Sequence, residues 1–393
     1  MSYEDLLFQN PGPTNIPSRV LDAMRRPIMD YRSDAFREIF LDCQNGIAKV
    51  LRSSGPVVIY PTTGHGAWEA ALVNVFSPGD RILVLDMGFF SRGWADYARR
   101  FGLDVQILQG NGSEGINYDE LFRLIDGDTG PRRFAGVLVT QCETATGAMA
   151  DCARVREVLN AAGHPALLLV DVISSLACAD FRMDDWQVDV AAGASQKGLM
   201  MATGLCFTGL SEKALAASEK ATLPRAFWDW GKALMGGRIQ VNPPGTAPVQ
   251  MFYGLHESLA MLFEEGLDSV LMRHERTARA VRAAVARWGN EGEVELFVEE
   301  SIASPSVTAV RMKSGKGAEA IRSIALQEYK VQVGAGLGEL HDKQFRIGHM
   351  GRLSAAQAIG ALAGLEMAMR SHGLRLGEGA INAAMSELQH AAN

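Results

Sequence analysis

The stretch Ala166-Leu167-Leu168-Leu169-Val170-Asp171 sets five apolar residues in a row and ends them on a carboxylate. A run without polar alternation belongs to a strand covered on both faces, the usual condition of a parallel sheet. Similar short runs recur at Val57–Tyr60 and at residues 82–85, 105–108, 135–140, 188–191 and 205–210. Helical stretches, such as residues 151–162, lie between them. Strands alternating with helices predict an α/β fold built on a mostly parallel, seven-stranded sheet.

Ahead of this region stands Pro11-Gly12-Pro13-Thr14-Asn15-Ile16-Pro17, whose prolines forbid a helix and favour an extended strap. Beyond Pro248 a long helical pattern runs, with one glycine interruption, towards Trp288, and carries apolar positions at Leu255, Leu259, Leu262 and Phe263. Strand-like segments at 294–298 and 306–312 and helical ones at 317–328 and 355–371 come after it. The expected organisation is an N-terminal arm over 1–17, a large α/β domain over 18–255, and a connecting helix with a smaller α+β domain over 256–393.

The 393 residues exceed one ordinary core and suit two or three domains. Hydrophobic residues make up 47% and charged residues 21%, the balance of a soluble globular chain. A formal charge of −7 argues against nucleic acid as a partner, since such binders carry a basic patch. No stretch reaches the ~20 uninterrupted apolar residues of a membrane-spanning helix. Residues 1–15 show Glu4 and Asp5 and no secretory signal, so the expected location is cytoplasmic. Five cysteines (Cys43, Cys142, Cys152, Cys178 and Cys206) show no CxxC pair or zinc-like spacing, which predicts buried free thiols and no metal centre.

Three places can carry chemistry. Asp171 stands at the carboxyl end of its strand, where open α/β sheets bind ligands. It also suits a helix N-cap before Val172-Ile173-Ser174-Ser175, and the residue alone does not separate the two readings. In Ala194-Ser195-Gln196-Lys197-Gly198 a lysine follows an apolar lead-in. Burial there would lower its pKa and free an imine-forming amine, while a solvated surface charge is the ordinary alternative. Thr62-Thr63-Gly64-His65-Gly66 follows the run Val57–Tyr60 and opens a helical pattern. Its glycines let backbone amides approach an anion, and the helix N-terminus adds positive potential. The loop is neither GxGxxG nor a Walker sequence, so no dinucleotide or nucleoside triphosphate is indicated.

An anion cup, a strand-end aspartate and a buried lysine in this order resemble the fold-type I pyridoxal-phosphate transferases. Within them the chain is similar to the class V aminotransferases, and most of all to the serine–glyoxylate and alanine–glyoxylate aminotransferase group. The resemblance runs through the Pro-Gly-Pro-Thr arm, Gly64-His65-Gly66, Glu143-Thr144-Ala145-Thr146-Gly147 and Val170-Asp171-Val172-Ile173-Ser174-Ser175. It continues in Gly193-Ala194-Ser195-Gln196-Lys197 and Phe345-Arg346-Ile347-Gly348-His349-Met350-Gly351.

That resemblance implies pyridoxal 5'-phosphate as the cofactor, carried on Lys197, which also shuttles the proton at the substrate's α-carbon. Asp171 would pair with the protonated ring nitrogen and keep it charged. Thr63, Gly64, His65 and Gln196 would hold the phosphate, and Thr246 would reach the phosphate of the neighbouring subunit in a homodimer with shared sites. Phe90 matches the ring that stacks on the cofactor face, and Thr146 matches a contact from its side. Arg346 would grip the substrate carboxylate with its two-pronged fork, while Gly12 and Asn15 would line the mouth.

The implied reaction moves an amino group from serine, alanine or aspartate to glyoxylate or pyruvate by a ping-pong cycle. Three departures from the group imply a reshaped substrate pocket. Phe90 stands where tryptophan is common, Pro243-Pro244-Gly245 replaces a tyrosine near Thr246, and Met200-Met201-Ala202-Thr203 replaces a proline-rich turn. Ser301-Ile302-Ala303-Ser304-Pro305 and the Arg346 motif also resemble pyridoxamine–pyruvate aminotransferase, which lacks the glycine-rich phosphate cup. A class V lyase of the desulfurase type would need a nucleophilic cysteine just before Arg346, and residues 331–346 hold none. A cofactor-sensing regulator would need a fused DNA-binding module, for which the arm is too short.

Overall fold

The computed structural model describes residues 6–110, 112–235 and 239–389. Each of the seven expected runs holds one strand of a seven-stranded sheet. In spatial order these are Val57–Tyr60, Cys206–Leu210, Val190–Ala194, Leu167–Asp171, Gly136–Thr140, Arg81–Asp86 and Asp104–Gln109. Neighbours run parallel except at Cys206–Leu210, which is antiparallel to both strands beside it.

The unalternated apolar runs follow from what covers the sheet. Leu168 and Val170 point into a core shared with helices Asp34–Leu51, Cys152–Ala161 and Val249–Glu265. Leu167 and Leu169 point the opposite way, into a second core with helices Gly64–Val75 and Phe89–Arg100. A strand whose two faces both meet helices has no position that must be polar.

A second sheet has five strands, in the order Leu7–Gln9, Val331–Ala335, Gln344–Gly348, Val307–Met312 and Val294–Leu296. Helices Leu267–Gly289, Ala318–Tyr329 and Ala355–Ser371 close its core. The expected glycine interruption is Gly266, whose φ of 84° ends Val249–Glu265 and lets Leu267–Gly289 begin in a new direction.

The arm differs from a plain strap. Leu7–Gln9 joins the second sheet, parallel to Val331–Ala335, before the proline-rich segment leaves it. Further on, Thr14 N–H donates to the Gln196 carbonyl at 3.1 Å. The prolines remove donors from the ladder, so the strand ends where they begin. All five cysteines are buried free thiols. Among the described residues no group of side chains could hold a metal ion, and no helix is long and apolar enough to cross a membrane.

Candidate active site

A cavity of about 290 Å³ opens at the carboxyl ends of Leu167–Asp171 and Val190–Ala194. Strand-end side chains meet there the N-terminus of helix Gly64–Val75. Gly12, Thr63, Gly64, His65, Phe90, Asp171, Gln196 and Lys197 all line it.

Asp171 ends its strand fully buried. Its Oδ1 accepts the Ile173 N–H at 2.7 Å and its Oδ2 accepts the Trp68 indole N–H at 3.0 Å. Turns, not a helix, follow Asp171, so the capping interaction is limited to one local amide. Burial pushes the carboxyl up to about 7, and the two N–H donors pull against that rise.

Lys197 leaves the end of Val190–Ala194 and turns its Nζ to the Pro11 carbonyl at 2.6 Å. Thr14 Oγ1 donates to the Lys197 carbonyl at 3.1 Å, so the arm clasps the lysine turn from both ends. Burial, and then the positive charge of Arg346, bring the ammonium down to about 8. Gly12 takes a φ of 103°, and a Cβ there would run into the end of the Lys197 side chain. Only glycine tolerates both demands.

The cup forms where Val57–Tyr60 passes into helix Gly64–Val75. Thr63 is extended and its hydroxyl makes no capping hydrogen bond, which leaves the first helical amides to the cavity. A Cβ on Gly64 would meet Ile173 Cδ1 at 2.5 Å, so a side chain here would displace that wall of the cavity. The Gln196 side-chain oxygen is buried without a partner. His65 lies edge-on to Trp68, with ring centroids 4.7 Å apart, and partial desolvation lowers its pKa.

Phe90 begins helix Phe89–Arg100, and its direction is set by a residue that sequence reading passed over. Glu143, wholly buried, accepts the Phe90 N–H at 2.9 Å, the Ser91 N–H at 3.1 Å and the Ala145 N–H at 3.0 Å. It thus satisfies the helix N-terminus from another element. Trp68 was missed as well, although its place four residues after Gly64 puts it on the same face of the helix.

Four predicted residues stand outside the cavity lining. Thr146 lies in a neighbouring cleft with Phe89 and Leu337, and its hydroxyl donates to the Glu143 carbonyl at 3.3 Å. Asn15 is exposed and donates to the Phe8 carbonyl at 3.4 Å. Thr246 is exposed on the surface. Arg346 sits in the middle of strand Gln344–Gly348, where Nε donates to the Ala335 carbonyl at 2.7 Å and Nη1 to the Thr144 carbonyl at 2.9 Å. Among the described residues it forms no salt bridge, although the negative charge of Glu143 favours its cation. Burial brings the guanidinium down to about 10.

A seven-stranded, mostly parallel sheet with a lysine and an aspartate at its strand ends defines a fold-type I transferase of the pyridoxal-phosphate class. The chain belongs to the aminotransferase class-V family, whose model matches residues 6–358. It is 42% identical to the L-aspartate–glyoxylate aminotransferase of Paracoccus denitrificans, over 94% of this chain and 93% of that protein. It is 39% identical to the serine–glyoxylate aminotransferase of Arabidopsis thaliana, over 97% and 94% of the two chains. The crystal structure of pyridoxamine–pyruvate aminotransferase from Mesorhizobium loti superposes with a TM-score of 0.90 at 29% identity, covering 98% of this chain and 97% of that one.

Proposed function

We propose that the protein transfers the amino group of a small amino acid to a small 2-oxo acid, using pyridoxal 5'-phosphate held at Lys197. One observation carries the reading: a lysine brought down to about 8 and a buried aspartate share a cavity with the open N-terminus of a helix. The residues fit the cofactor. Uncapped amides at Gly64 and His65 and the Thr63 hydroxyl suit a phosphate, and Gln196, in the same cavity lining, would turn its amide N–H towards it. Phe90 and Ile173 give apolar walls for a ring, and Asp171 suits a protonated ring nitrogen. Bound there, pyridoxal phosphate would supply the electron sink and the carbonyl carbon that carries the amino group.

The chain's own groups do the rest. With a pKa near 8, Lys197 Nζ holds a free pair at mildly alkaline pH and moves the proton of the amino acid's α-carbon. The Pro11 carbonyl orients that amine. Asp171, once opposite a positive charge, stays an anion despite its burial. Among the described residues no hydrogen bond engages Arg346 Nη2, and its planar fork suits the substrate carboxylate. Thr246, exposed on its own chain, would contact the phosphate held by a second copy in a homodimer.

The donor we favour is L-aspartate, L-serine or L-alanine, with glyoxylate or pyruvate as acceptor; the names of the two relatives support aspartate, serine and glyoxylate among these. The anion-ready helix N-terminus supports a phosphate-bearing cofactor over free pyridoxamine as the working substrate. The test is the visible spectrum of the purified holoprotein before and after single additions of L-aspartate, L-serine, L-alanine or pyridoxamine. We expect one amino acid to bleach the lysine-bound band and glyoxylate or pyruvate to restore it. Bleaching by none of them removes the transfer reaction, and turnover of pyridoxamine alone with pyruvate replaces it with the vitamin as substrate.

A further inference from the structure

We infer that Trp68 is a positioning residue, whose indole N–H fixes the direction of the Asp171 carboxylate and favours its anion. The inference rests on the reading of Asp171 as the partner of the ring nitrogen. Trp68 is buried in helix Gly64–Val75, and its Nε1 lies 3.0 Å from Asp171 Oδ2. The other oxygen accepts the Ile173 N–H at 2.7 Å, from the turn just past the strand. One donor on each oxygen defines the plane of the carboxylate. The local donor alone would leave Oδ2 free to swing about the Cβ–Cγ bond.

The indole itself is held against rotation. It stacks on Trp94 at 5.9 Å and 17°, and meets His65 edge-on at 4.7 Å and Tyr97 edge-on at 5.8 Å. Its N–H is thereby aimed by packing rather than by the bond it makes. An indole N–H can only donate, so it serves the ionised carboxylate and does nothing for the oxygen of a protonated one that turns its O–H towards it. The groups whose charges reach Asp171 divide: Glu143 opposes ionisation and Lys197 favours it. With burial also opposing, the Ile173 and Trp68 donors, ahead of the Lys197 charge, favour the anion before a cofactor arrives.

The position of Trp68 adds a geometric consequence. Helix Gly64–Val75 offers its N-terminal amides to a phosphate at Gly64 and, one turn on, its indole to Asp171. One rigid element therefore sets both anchor points of the same cofactor, and their separation cannot drift with loop motion.

The test replaces Trp68 with phenylalanine, which keeps an apolar ring and removes the donor. A second variant carries β-(3-benzothienyl)alanine at position 68, isosteric with tryptophan but without the N–H, in case phenylalanine loosens the packing. Infrared difference spectra of the cofactor-free protein against Asp171→Asn follow the carboxyl titration. Both variants should titrate at higher pH than the native protein. In the holoenzyme we expect kcat to fall about tenfold, the worth of one hydrogen bond to a charged group, with KM for the amino donor within about twofold. An unmoved titration and unchanged kcat in the benzothienyl variant overturn the inference alone, provided Asp171→Asn is inactive. A fully active Asp171→Asn overturns the Asp171 reading and this inference with it.

Discussion

At the scale of single residues, burial pushes the two chemical groups of the cavity towards neutrality from opposite sides. Asp171 rises to about 7 and Lys197 falls to about 8. A lowered lysine pKa means that the free amine appears as pH rises through about 8, well below the ordinary lysine range. The rate at which cofactor-free protein captures pyridoxal phosphate should therefore climb with a midpoint near 8. A midpoint near that of a free lysine would show that the amine is solvated. Lys197→Ala should keep the native circular dichroism, fail to fix the cofactor, and lose more than about a thousandfold in the amino-acid half-reaction. Arg346 is bonded to two carbonyls and to no carboxylate. Arg346→Ala should raise KM for every carboxylate substrate about ten- to a hundredfold while cofactor affinity holds, and lysine should rescue little of it. Steady-state kinetics across the three amino acids and two oxo acids decide this, and an unchanged KM set would strip Arg346 of its role.

At the scale of elements, what was legible in the sequence tracks how completely an element is buried. The seven strands of the large sheet showed themselves because both faces meet helices, so each run is apolar from end to end. The strands Val331–Ala335 and Gln344–Gly348 did not. Gln332, Gln344 and Arg346 interrupt the apolar run; Gln344 serves the Ala145 carbonyl and Arg346 the Thr144 and Ala335 carbonyls. Leu7–Gln9 was hidden by its three-residue length, and its pairing partner lies more than three hundred residues away. In the site, the cup, Asp171 and Lys197 announce themselves by residue type at element ends. Trp68 and Glu143 do not, because their work lies in which neighbour's donor or acceptor they meet. Buried histidines give the element scale its own prediction. In helix Leu267–Gly289, His274 accepts the Gly351 N–H on Nε2 at 3.0 Å, while Nδ1 faces the Val270 carbonyl at 2.8 Å. Burial, and then Arg273, lower it from 6.5 to about 4. As pH falls below 6.5 the unfolded chain takes up the proton first, so stability is lost from there down to about 4. The swing is of order 3 kcal/mol, and His274→Gln should flatten the dependence of the denaturation midpoint on pH over that window.

At the scale of the whole molecule, one hairpin ties the two sheets together beside the site. The strands Cys142–Glu143 and Ala148–Met149 belong beside the large sheet, yet the turn between them is held by the small one. Arg346 donates to the Thr144 carbonyl, the Gln344 side chain to the Ala145 carbonyl, and Ser304 N–H to the Gly147 carbonyl at 2.8 Å. Glu143 in the same hairpin holds the start of the Phe90 helix. The proposed substrate-binding arginine and the proposed stacking ring thus share a support in this hairpin. Thr246, by contrast, is exposed and outside its own chain's cavity lining. That isolation gives the sharing of sites in a homodimer a direct test. Thr246→Glu should place a negative charge against a phosphate held by the partner and abolish cofactor binding, while an exposed position leaves the fold intact. Lys197→Ala abolishes activity from the other side of the site. When the two inactive proteins are dissociated together and reassociated, half of the dimers should be hybrids. With shared sites, each hybrid gathers both lesions in one site and leaves the second whole, so about a quarter of native activity returns. If each site is built from a single chain, every site in the mixture carries a lesion and no activity returns.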